Sequence, residues 1–259
     1  SSTTNLMIWD DSESTTIYVN TSIVFYANYS DYELNESITS LGTYCEFSEN
    51  SSGTWTTPEN MIFNSTSSFY YYDSPINQSG INYFNISCFN DLGYDNLSAI
   101  DDFSITASCI GETSRFVCGN SVTESCSLDG NFICSGSGLV VNANDLIING
   151  NNYNISSGYG QYDCGIDVWQ AEFDNITIKN CNFIAGTTGI GTWTTNSFDY
   201  NNTDSGTTYG RYIYSDINST SYDNYYSTIW IDDTLNSMQN VYFNNIICIF
   251  LQILYFHYY

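Results

Sequence analysis

Apolar positions along this chain follow two different rhythms. Up to about residue 107 they alternate with polar ones over short runs. Residues 22–30 (SIVFYANYS) are apolar at every second position, as in a strand with one buried face. Residues 43–48 put Cys45 and Phe47 on one side, and short apolar runs follow at 61–64 and 69–72, the latter leading to a predicted turn at Asp73-Ser74-Pro75. Residues 81–89 (INYFNISCF) bring Phe84, Ile86 and Cys88 to one face, and Phe103 with Ile105 completes the set. Short strands with polar turns between them predict a β-sandwich over residues 1–107.

From residue 138 the rhythm changes to a repeat. Gly138, Gly165 and Gly189 each open a phrase of glycine and alternating apolar residues. Each of the first two is followed by a second phrase, residues 145–155 (DLIINGNNYNI) and 174–184 (DNITIKNCNFI), which align Asp145 on Asp174. Looser phrases continue at 196–200, 211–217, 228–231 and 240–246. A repeat at roughly twenty- to thirty-residue intervals describes one small unit that buries its apolar face only by stacking on its neighbours. Asn149, Asn180 and Asn244 follow apolar phrases, where stacked amides serve turn backbones. The Leu spacing of a leucine-rich repeat is missing.

Between the two regions, residues 108–137 hold Cys109, Cys118, Cys126 and Cys134. Their spacing lacks the Cys-x2-Cys pairs of a zinc site and the sole histidine is His257, so disulfides in a cap over the first coil are expected, with three pairings open. Cys164 and Cys181 are further disulfide candidates, pairing undetermined. Cys45 and Cys88, both mid-strand and inward, are expected to pair as a bridge between two sheets, with Trp55 packed on it. The last stretch, 246–259, is nearly continuous apolar and too short to cross a bilayer as a helix. Its readings are a truncated end, a strand capping the last coil, or a donor strand that joins subunits into a filament.

Two resemblances follow. Cys45, Trp55, and Gly80-Ile-Asn-Tyr83 leading into Cys88 resemble an immunoglobulin-like domain, although the tyrosine lies five residues before the second cysteine. Gly165-Ile-Asp-Val168 followed by Asp174-Asn-Ile-Thr-Ile-Lys-Asn180, with the parallel run from Gly138, resembles the right-handed parallel β-helix of the pectate-lyase-like superfold. Together they look like the multi-domain cell-surface proteins of archaeal type. The expected fold is therefore all-β: an Ig-like β-sandwich (1–107), a Cys-rich junction (108–137), a right-handed parallel β-helix (138–245) and the apolar tail.

Charge narrows the function classes. The chain has 28 Asp+Glu against 3 Lys+Arg, net −25, yet only 12% of its residues are charged. Bases are scarce rather than acids abundant, which disfavours nucleic acid and anionic membranes. Nine cysteines indicate an oxidising, extracellular compartment. Asn-x-Ser/Thr sequons at Asn20, Asn28, Asn35, Asn50, Asn64, Asn77, Asn85, Asn96, Asn154, Asn175, Asn201 and Asn218 indicate a glycoprotein.

The superfold hosts polysaccharide lyases and glycosidases, and the resemblance implies acidic Ca²⁺ ligands with a basic proton acceptor, or paired aspartates. The bases here are Arg115, Lys179 and Arg211, with no acidic cluster beside Lys179 in sequence. Asp10-Asp11, Asp101-Asp102 and Asp232-Asp233 are adjacent pairs, and adjacent strand residues point to opposite faces, so such a pair does not make a two-carboxylate site. They read as turn residues or loose Ca²⁺ ligands, and no cofactor is expected. The expectation is a non-catalytic surface glycoprotein acting in adhesion, display or envelope structure. Its expected partners are a glycan, a cell-surface protein or further copies of itself. The alternatives are a carbohydrate-active enzyme and a filament subunit.

Overall fold

The two rhythms of the sequence become two kinds of β-sheet. The computed structural model describes residues 3–160, 163–232 and 241–254. By contact density the chain forms two units, one ending at Thr106 and the other beginning at Ala107.

The first unit holds two five-stranded sheets. One runs Thr4–Asp10, Ser22–Asp31, Phe69–Pro75, Ile62–Asn64, with Glu36–Ser37 also on Ser22–Asp31; the other runs Ile17–Tyr18, Leu97–Thr106, Gly80–Phe89, Tyr44–Glu49, Glu59–Asn60. Pairing is antiparallel except where Ile17–Tyr18 joins Leu97–Thr106. Alternation along Ser22–Asp31 sends Ile23, Phe25, Ala27 and Tyr29 inward, all at 0% exposure. There Phe25 meets Phe47, Phe84 and Phe103 of the opposite sheet at centroid distances of 4.5, 4.9 and 5.1 Å. Each such ring contributes about 1.5–3 kcal/mol by leaving water.

Two expectations for this unit are corrected. Asp73-Ser74-Pro75 is strand rather than turn, pairing with Val24, Ile23 and Ser22; the proline sits at the strand's end, where a missing N–H costs least. Cys45 and Cys88 do form a disulfide, but within one sheet: they are directly opposite each other on neighbouring strands, with Cα atoms 4.0 Å apart. Alternation shows that both face inward and leaves open whether the partner lies across the core or alongside. Trp55 is 46% exposed, not buried on that bridge.

The second unit is a parallel β-solenoid of about five turns. One sheet stacks Cys126–Leu128, Ile147–Asn149, Thr177–Lys179, Phe198–Tyr200, Thr220–Tyr222 and Tyr242–Asn244 in parallel. The other stacks Ser121–Val122, Leu139–Val141, Cys164–Asp174, Asn182–Thr195, Thr207–Ile217, Tyr225–Asp232 and Ile247–Leu254. Parallel pairing thus starts earlier than residue 138 and runs past 245. Within 108–137 only the hairpin of Cys109–Ile110 and Arg115–Phe116 is antiparallel, laid on Cys126–Leu128; the remainder is already coil. Cys109–Cys126 and Cys118–Cys134 cross-link this start. At the other end Ile247–Leu254 pairs with Tyr225–Asp232 of its own chain. His257 lies outside the described residues.

The alignment of the first two repeats also shifts by one. Ile148 pairs with Ile178, so Asp145 falls opposite Asn175 rather than Asp174. A one-residue slip exchanges the two faces of a strand, and the true register puts Leu146, Ile148, Ile176 and Ile178 all inside, at 4% exposure or less. The glycines that marked the repeat form a column where coils nearly touch. A Cβ on Gly138 would lie 2.1 Å from the Gly165 carbonyl oxygen, and one on Gly189 would lie 2.6 Å from that of Gly210.

Cys164 and Cys181, expected in disulfides, are buried thiols. Cys164 lies in the long-strand sheet, paired with Thr188, whereas Cys181 follows Thr177–Lys179 and donates towards the Lys179 carbonyl at 3.3 Å. Sequence neighbourhood within a repeat does not bring them together.

Candidate functional site

Short strands stacked in register turn single residues into columns, and the solenoid's exterior is built from them. On the sheet that starts at Cys126–Leu128, one outward column reads Ile147, Thr177, Phe198, Thr220, Tyr242, and the other Asn149, Lys179, Tyr200, Tyr222, Asn244. Lys179 lies over the Tyr200 ring at 5.8 Å from its centroid, and Tyr200 stacks on Tyr222 at 4.8 Å and 10°. The two tyrosine rings cover each other's faces. Beside Lys179 a shallow groove of about 310 Å³ is lined by Ile110, Glu112, Ser127, Ile147 and Asn149, under the 110–114 turn.

Of the three bases, Lys179 alone makes no ion pair among the described residues. Arg115 holds Asp129 at 3.0 Å, and both bond the Ser108 hydroxyl, tying the hairpin to the first coil. Arg211 is 1% exposed and pairs with Asp199 inside the solenoid. The second Asp199 oxygen accepts from Ser221 Oγ (2.8 Å), Asn224 Nδ2 (2.8 Å) and Tyr226 Oη (2.7 Å). A cavity of about 10 Å³ adjoins Asp199, Arg211, Thr192, Thr194 and Ser197, close to the room one water needs. Burial, and then the Asp199 charge, raise the Tyr226 phenol well above its ordinary value. Burial also raises both thiols, Cys181 to about 12.

Of these inner polar residues only Arg211 stood out in the sequence, as a candidate base; a signal for Asp199 was nonetheless there. In the correct register Asp199 and Ser221 continue the inward column of Ile148 and Ile178. An acid at a core position demands a buried partner, and Arg211 is the basic residue nearest along the following chain.

The turns form a second set of columns. Asn180, Asn201, Asp223 and Asn245 all hold the left-handed conformation, φ 51–55°. Asn180 Nδ2 donates to Asn149 Oδ1 at 2.9 Å, Asn201 to Asn180 at 2.7 Å, and Asn245 to Asp223 at 2.7 Å. The expected asparagine stack is therefore present, with Asn245 rather than Asn244 at the turn. A parallel column links Asn175 to Asp145, Asn196 to Asp174, and Asn218 to Asn196.

The sequons divide along the same lines. Asn175, Asn201 and Asn218 spend their amide nitrogens on these ladders, and Asn154 is half-buried in a strand. In the first unit Asn20, Asn35, Asn64, Asn77 and Asn96 are exposed, while Asn28, Asn50 and Asn85 are half-buried. Of the aspartate pairs, Asp10 is buried and raised above the usual carboxylate range by that burial, against hydrogen bonds from Ser12. Asp101 and Asp102 point to opposite faces of Leu97–Thr106, and Asp233 lies outside the described residues. No group of three or more metal-ligating side chains is found among the described residues, and none of their helices is long and apolar enough to cross a membrane.

Comparison with known proteins adds little to this geometry. No family model matches the chain, and no curated protein matches it. A crystal structure of a pectate lyase from Pectobacterium carotovorum is similar over 97% of this chain and 77% of its own, at 9% identity and a TM-score of 0.21. At that score the likeness carries no argument, and the solenoid rests on its own strand pairing.

Proposed function

We propose that this chain is a non-catalytic extracellular surface glycoprotein that works in adhesion, display or envelope structure. The observation that carries the reading is how its reactive side chains are used. Asp199 and Arg211 are closed in an internal network, and Lys179 lies along a tyrosine stack, with no pair of carboxylates near it in the columns. Acid–base catalysis on a sugar needs two groups aimed at one solvent-open point, whereas here the outward columns are ladders. Three disulfides suit an oxidising compartment. In this reading the first unit is an immunoglobulin-like spacer of two facing sheets. The solenoid is right-handed, as strand–crossover–strand units are, and the whole is of the archaeal surface-protein type. Ile247–Leu254 is paired with Tyr225–Asp232 of its own chain along one edge, so the filament alternative would use strand addition at its other edge.

The test is a turnover screen on polyuronates and neutral glycans with the parent and Lys179→Ala, alongside brief protease treatment of intact source cells. The expected result is no turnover in either protein and release of the chain from the cell surface. Product formation that drops tenfold or more in Lys179→Ala would establish the enzyme reading instead.

A further inference from the structure

The outer face of one sheet in the first unit leaves apolar side chains in water. Along Gly80–Phe89 the outward positions are Ile81, Tyr83, Asn85, Ser87 and Phe89. Ile81 is 69% exposed and Tyr83 50%. On the neighbouring strand Ile100 stands directly opposite Asn85 and is 65% exposed. Tyr83, two residues along the strand, and Ile100, directly opposite, flank Asn85, while Ile81 lies two positions further along the same face; Asn85 begins the sequon Asn85-Ile86-Ser87. Its carbonyl oxygen accepts from Ser98 at 2.8 Å, and its amide nitrogen makes only a long bond, 3.3 Å, to Ser87.

We infer that Asn85 carries an N-linked glycan whose first N-acetylhexosamine lies over Tyr83 and Ile100 and covers that part of the exposed face. The inference rests on the glycoprotein reading above and assigns it to one site. Three facts converge on it. Two residues along a strand return a side chain to the same face roughly 6.6 Å away, and a directly opposite residue is roughly 5 Å away, so Tyr83 and Ile100 flank the attachment nitrogen within reach of one pyranose ring. The C–H face of such a ring is the partner that a tyrosine face and an isoleucine side chain accept, since it is apolar while its rim hydroxyls stay in water. The amide nitrogen keeps one hydrogen for Ser87 after substitution. The ladder sequons Asn175, Asn201 and Asn218 lack this setting: each lies in a turn with its amide nitrogen bonded to the preceding coil.

The experiment uses the full chain secreted from a host with N-glycosylation. Glycopeptide mass spectrometry should find Asn85 occupied. Ser87→Ala removes the sequon and keeps Asn85, and should lower the Tm of the first unit by a few degrees. That loss should vanish in a Tyr83→Ala background and persist with Tyr83→Phe, which keeps the ring. The same six proteins, Ser87 and Ser87→Ala in each of the three backgrounds, from a host without N-glycosylation subtract what the Ser87 hydroxyl itself contributes, and Ile100→Ala repeats the test from the neighbouring strand. An empty Asn85 with other sequons occupied overturns the inference and leaves the glycoprotein reading intact. If every sequon is empty, both fall. An occupied Asn85 whose glycan stabilises Tyr83→Ala and Ile100→Ala as much as the parent overturns the packing claim.

Discussion

Asp199 occupies the inward position that isoleucine holds in the two preceding coils, and the structure answers the charge with Arg211 and three neutral donors. Removing one partner of a buried pair leaves the other charged and dry, a loss of about 3–5 kcal/mol. Asp199→Asn should therefore show that loss in urea unfolding, while replacing both charges, as in Asp199→Asn with Arg211→Met, which keeps an acceptor for Ser221, Asn224 and Tyr226, should recover part of it. A single-mutant loss under about 1 kcal/mol would show that the pair is not buried as described. Legibility at this scale was uneven. Cys45 and Cys88 could be paired from alternation, but not placed in one sheet, because period two records a face and not a neighbour. Cys164 and Cys181 looked like disulfide candidates only because compartment was inferred from composition.

Among elements, left-handed asparagine turns recur from coil to coil of the solenoid. Asn201 serves it twice, through its φ of 53° and through its amide bond to Asn180. The two roles separate by substitution. Asn201→Gly keeps the conformation and loses a hydrogen bond, at about 0.5–1.5 kcal/mol, whereas Asn201→Ala loses the same bond and keeps a Cβ in the left-handed region without the polar side chain that makes it tolerable, a cost of about 1–2 kcal/mol relative to glycine. Thermal unfolding should rank parent above Gly above Ala, and equal values for Gly and Ala would mean that the turn's conformation is not under strain. The glycine and asparagine spacing made the repeat readable. The register was not, because Leu146-Ile147-Ile148 and Ile176-Thr177-Ile178 align plausibly at either of two offsets when read as strings.

For the whole molecule, tyrosine ionisation defines an alkaline limit. The Tyr226 phenol is raised well above its ordinary 10.0 and Tyr72 is raised to about 12, the former by burial first and the latter by its bond to Glu59 first. In both cases the folded pKa exceeds the unfolded one. The stability each contributes is therefore complete below pH 10 and lost as pH rises from there through the folded value. Stability should begin to fall near pH 10 and continue past pH 12, with late-titrating tyrosinate absorbance appearing only as the chain unfolds. Tyr226→Phe should flatten that slope, at the expense of a hydrogen bond at neutral pH. An unchanged slope would show that Tyr226 titrates normally.

What the sequence determined alone is the kind of structure. Alternation at period two requires half-buried strands, and a glycine- and asparagine-marked repeat requires stacked coils, because both follow from where apolar side chains must go within a few residues. The tertiary structure decided everything that depends on which strand lies beside which: the in-sheet Cys45–Cys88 bridge, the one-residue shift between coils, and coiling from Ser121 through Leu254. It also decided that Asp199 and Arg211 meet inside and that Lys179 lies over a ring outside. Such pairings join residues distant in sequence, so their energies are invisible to any local pattern until the coils stack.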